Sequence, residues 1–147
     1  MKNEIKSTPK RLYALIFSLL AIVVVGSLLL LTRKAEPLVI YESDTTIVIK
    51  CEKAEDDATL IDYMAKLRDK GKIEFTAENG MITSINGIEN PKDFSYCWML
   101  YTSDADMANS AWGTVLYNEV EYGSAILGAD KLEIKADNLY IWVYKQF

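Results

Sequence analysis

Side chains able to do chemistry are sparse in this chain, and the missing ones narrow the choice first. Its 147 residues contain no histidine. That removes Ser-His-Asp and Cys-His catalysis, the common zinc sites and imidazole proton transfer near neutral pH. The two cysteines, Cys51 and Cys97, fit either one disulfide in an oxidising compartment or two small core thiols. Asp104 and Asp106, with Ser103 and Asn109, make an oxygen-rich loop of the kind hard cations use. Their spacing matches no EF-hand, and a solvated turn is the simpler reading. Nothing marks any two carboxylates as a glycosidase pair. The expectation is no enzyme, no metal and no cofactor.

Aromatic residues are the more suggestive group. Over 139–144, Tyr140, Trp142 and Tyr144 share one strand face, while Leu139, Ile141 and Val143 share the other. If the aliphatic face packs on a helix, the Tyr-Trp-Tyr face turns to solvent or a ligand. The competing reading makes the rings a second small core beneath a loop at 103–111. Trp142 is read as core. Trp112 is read as exposed, because Ala111 and Gly113 on either side let a planar ligand approach its indole. Trp112, Tyr101 and Tyr122 are the candidate ligand-binding residues, expected as one exposed patch beside a long irregular segment at 103–113. Such a strip suits sugar rings, corrins or a partner protein.

The elements that must position these side chains follow from periodicity. An early strand is expected at 38–41. Residues 45–53 alternate with β-branched side chains, putting Ile47, Ile49 and Cys51 on one face. Thr59 followed by Asp62 resembles a capping box, Leu60, Ile61, Met64 and Leu67 recur at helical spacing, and Gly71 is placed to stop the helix. The acids at 55–57 suit the helix N-terminus. Further strands are predicted at 73–76, 81–85, 96–102, 114–117, 120–122, 131–134 and 139–144. Turn residues separate them at 78–80, 86–87, 89–91, 118–119 and 137–138. One early helix on a mostly antiparallel sheet is an α+β arrangement.

Ahead of this domain, residues 12–31 carry no charge over a length sufficient to span a hydrocarbon core. The run is longer than a signal-peptide core and reaches Arg33 and Lys34 without a good cleavage site. Lys2, Lys6, Lys10 and Arg11 precede it, so the N-terminus is expected inside the cytoplasmic membrane and the remainder outside. The expected organisation is a basic tail at 1–11, a transmembrane anchor in the bilayer at 12–32, a linker at 33–44 and one domain at 45–147. From Ala35 onward ten basic residues face twenty acidic ones, a balance that repels nucleic acid.

The segments 79–88 (NGMITSINGI), 98–101 (WMLY), 112–114 (WGT), 122–128 (YGSAILG) and 139–144 (LYIWVY), with 58–62 (ATLID), are similar in order and spacing to the transcobalamin-like C-terminal domain family. The family is found mostly on bacterial surface proteins. The resemblance covers about 45–147. It implies a β-grasp-like domain related to the half of the vertebrate cobalamin carriers that covers one corrin face. Those carriers complete their site with a large helical domain that this chain lacks, so the resemblance does not carry corrin capture with it. The functional expectation is an extracytoplasmic module binding a corrinoid, glycan or other ring-bearing molecule. The alternative is a scaffold domain docking on another envelope protein.

Overall fold

The structure, a computed structural model, describes residues 17–21, 38–54 and 57–147. The chain divides into two units, Met1–Ala35 and Glu36–Phe147. In the first, residues 17–21 are helical; the rest of the expected tail and anchor lies outside the described residues, as do residues 55–56 of the acidic run. Among the described residues no helix is long and apolar enough to cross a membrane.

The second unit is mostly antiparallel sheet with few helices, consistent with an α+β or a mainly β domain. Its strands are β1 (Leu38–Ser43), β2 (Thr46–Lys50), β3 (Phe75–Glu78), β4 (Met81–Ile85), β5 (Ile88–Glu89), β6 (Tyr96–Thr102), β7 (Ala108–Tyr117), β8 (Val120–Ala125) and β9 (Leu139–Gln146). Six of them form one sheet in the order β1-β2-β9-β6-β8-β7, and β3-β4-β5 form a smaller one. Every pairing is antiparallel.

The helix, α1 (Leu60–Asp69), starts where the capping box is expected: Thr59 and Asp62 bond each other reciprocally. Gly71, with φ +66°, follows its end. Leu60, Tyr63, Met64 and Leu67 point into the main core. They meet Ile47, Ile49 and Cys51 from β2, and Tyr140 and Trp142 from β9. So the aromatic face of β9 packs on the helix side, the reverse of the arrangement that would have left Tyr140 and Trp142 to a ligand.

The opposite face of the sheet is also apolar, with Val48, Tyr101 and Ile141 fully buried there. The reason is curvature. Ile40 on β1, at one edge, and Tyr117 on β7, at the other, both pack against this cluster. The sheet therefore rolls until its two outer strands approach, enclosing the second cluster.

The strand expected at 131–134 does not form. That segment makes one isolated bridge, Thr59 to Glu133, because its polar groups serve the helix start instead. Leu60 N donates to Leu132 O at 2.8 Å and Ile61 N to Ala129 O at 2.9 Å, which satisfies two of the donors every helix N-terminus leaves open. The buried Tyr140 hydroxyl fixes the same segment by accepting from Lys135 N at 2.8 Å.

Candidate functional site

Residues 103–113, expected as a long loop, are mostly ordered as a short 3-10 turn (Ala105–Met107) leading straight into β7. What is irregular is the strand itself. β7 pairs with β8 at Asn109↔Ser124 and resumes at Thr114↔Gly123, so residues 110–113 bulge out with no counterpart. A bulge of this size needs its own hydrogen bonds, and nearby side chains supply them. Ser124, 1% exposed, donates to Asn109 O at 3.0 Å and accepts from Trp112 N at 3.3 Å. Asn109 Oδ1 accepts from Ala111 N at 3.0 Å. The Tyr101 hydroxyl donates to Trp112 O at 3.5 Å. Gly123 lets the strands close beneath the bulge: a Cβ there would stand 2.6 Å from Asn109 O.

This pinned lip carries the Trp112 indole outward, 57% exposed. The ring of Phe147 lies 5.3 Å away, tilted by 31°. Two recesses open beside the indole. The larger, about 450 Å³, arises because β8 pairs with β6 only at Tyr101 and Thr102 and then turns away. Trp98, Leu100, Trp142, Ile126 and Leu127 are among the residues that line it. The smaller, about 310 Å³, is bounded by Met99, Trp112, Lys145, Gln146 and Phe147. On the β6 edge that β8 leaves, Asn90 substitutes for a strand: its Oδ1 accepts from Trp98 N at 3.0 Å and its Nδ2 donates to Ile82 O at 3.0 Å.

The three aromatic residues singled out from the sequence do not make one exposed patch. Trp112 is exposed, Tyr101 is fully buried and Tyr122 is half-buried against the Tyr101 cluster. Tyr101 reaches Trp112 through its hydroxyl, so it positions the lip rather than offering a ring. Lys145, Phe147, Met99 and Ser124 complete the site. Lys145 could have been read from strand alternation, two positions after Val143; the others required the fold.

The disulfide expectation is corrected here. Cys51 and Cys97 are both buried free thiols. Cys51 packs in the helix-side cluster. Cys97 alternates with Trp98 and so faces the other way, its Sγ 3.7 Å from Met99 Sδ. Opposite faces of one sheet cannot be bridged by a bond that needs Cα atoms within about 7 Å and converging Cβ vectors. Burial pushes both thiols up from the ordinary range, the Lys145 charge offsetting this only in part at Cys97. Neither is an activated nucleophile.

The acidic turn is an ion pair. Asp104, 6% exposed, meets Lys135 Nζ at 2.7 Å, with Asp106 at 3.9 Å from the same ammonium. The hydrogen bond to Asp104 holds the Lys135 pKa above its usual value. Among the described residues no group of three or more His, Cys, Asp or Glu side chains could hold a metal. Comparison with family models, curated proteins and solved structures returns no match.

Proposed function

We propose that the domain is a non-catalytic binding module that takes a ring-bearing ligand, such as a corrinoid or glycan, against Trp112. The observation that carries this reading is an indole held out by a backbone bonded on both sides. Trp112 N and O each have a partner from a buried residue, yet the ring is 57% exposed between two recesses. A large apolar ring kept rigid in water contributes little to folding and loses little entropy on binding. In the same proposal the module is tethered outside the cytoplasmic membrane by the 12–32 span, and its helix-across-sheet layout is β-grasp-like, related to the transcobalamin-like C-terminal domains.

The test is calorimetric titration of the full-length protein with cobalamin and with a panel of neutral and acidic glycans. Trp112→Ala should weaken whichever ligand binds by about 1–3 kcal/mol, typical of losing an aromatic anchor. No binding across the panel, or binding indifferent to Trp112, sinks the reading. A second reading, docking on an envelope protein, rests on the outer β7–β8 hairpin, where Leu116 is 72% and Val120 48% exposed. Loss of partner cross-linking in Leu116→Lys, with Trp112→Ala neutral, would favour it.

A further inference from the structure

We propose that the ligand is acidic: a ring carrying a carboxylate, seated in the smaller recess against Trp112 and Phe147 with the anionic group on Lys145. The inference rests on the ring-binding reading above and adds the chemical class. Lys145 bounds the smaller recess together with Trp112 and Phe147. It is half-buried, and its Nζ donates to the Tyr101 hydroxyl at 3.1 Å and stands 5.7 Å from the Tyr101 ring centroid. These contacts fix the ammonium in place and use one of its three donors. No carboxylate among the described residues is within ion-pair distance of it.

Twenty acids face ten bases from Ala35 onward, and Lys135, by contrast, has two carboxylates beside it. An ammonium held in a recess without a counter-ion gains from an incoming anion. The lip runs beside the ammonium: a Cβ added to Gly113 would lie 3.6 Å from it, in van der Waals contact. The rings supply the apolar wall and the ammonium supplies the charge.

Two matched probe pairs test this: 4-nitrophenyl β-glucuronide against 4-nitrophenyl β-glucoside, and indole-3-acetate against indole-3-acetamide. Each pair differs chiefly in the acid. With full-length protein at low salt, the acid of at least one pair should bind about tenfold tighter than its neutral partner, the gain expected of a charge-assisted bond. Raising the salt should narrow that gap. Lys145→Met should abolish it by weakening the acid alone, while Trp112→Ala should weaken acid and neutral probes together. Equal binding within both pairs, or a gap that survives Lys145→Met, overturns the acidic-ligand inference and leaves the ring site standing. Binding by none of the four probes overturns the acidic-ligand inference, while the ring-binding reading stands or falls on the cobalamin and glycan titration. The wild-type gap and its salt dependence need no variant, so misfolding of Lys145→Met cannot shelter the proposal.

Discussion

Trp142 and Trp112 line the same cleft and could hardly be used more differently. Trp142 sits in the regular strand β9, paired on both sides, and its ring is 4% exposed in the helix-side cluster. Its indole N–H finds no acceptor among the described residues. Trp112 has the opposite allocation: irregular backbone, both main-chain groups bonded, ring in water. Regular pairing gives a side chain to the core. A break in pairing that is chemically satisfied gives one to the surface without loosening it. The binding proposal rests on that break.

The largest expected effect separates the two rings by stability. Trp142→Ala should cost about 3–5 kcal/mol, the usual range for emptying a buried aromatic site. Trp112→Ala should cost under about 1 kcal/mol, a surface change plus one lost contact with Phe147. Urea midpoints of both variants decide it. A fall for Trp112→Ala as large as for Trp142→Ala would make the lip part of the core and end the binding proposal.

Removing the pin comes next in size. Ser124→Ala strips the donor to Asn109 O and the acceptor for Trp112 N from a site 1% exposed. The expected loss is about 1–3 kcal/mol, the cost of leaving buried main-chain groups unpaired. The sharper readout is motion: the indole ¹⁵N heteronuclear NOE of Trp112 should fall while that of Trp142 holds. An unchanged Trp112 signal would mean that Ser124 does not preorganise the lip.

How much of this could be read from the chain depends on how local the cause is. The face shared by Ile47, Ile49 and Cys51, the Thr59–Asp62 cap and the stop at Gly71 rest on neighbours within a few positions, and all three stand, although Val48 buries the other face of β2 as well. So do the turns at Asn79-Gly80, Asn86-Gly87 and Asn118-Glu119, whose residues adopt the positive φ that such turns require. The bulge at 110–113 is different. It exists because Ser124 and Gly123 meet Asn109 across the sheet, and no pattern near Trp112 announces that meeting. The same holds for 131–134, whose alternation suits a strand but whose carbonyl at Leu132 is taken by α1. The faces of β9 were ambiguous for a further reason: the rolled sheet buries both, so apolar content could not say which one meets the helix.

The smallest effect concerns the helix that covers Trp142, and it turns on charge. The Asp62 carboxylate accepts from Thr59 N at 3.1 Å and from Thr59 Oγ1 at 2.7 Å. Those bonds, the side-chain one foremost, hold its pKa below the usual carboxylate value. A carboxyl whose folded pKa is lowered stabilises the fold above its unfolded pKa, about 3.9 for Asp. That contribution disappears as pH falls through the lower, folded value. Asp62→Asn removes the titration while keeping the shape. Its stability deficit against wild type should therefore be present at neutral pH and vanish in acid, measured as urea midpoints across the range. Because the cap secures the helix side only, the loss should appear in probes of Trp142 packing and leave the exposure of Trp112 unchanged. A deficit that grows in acid would contradict the lowered pKa. Equal response of both tryptophans would show that the core and the lip unfold as one cooperative unit rather than as the two regions contrasted above.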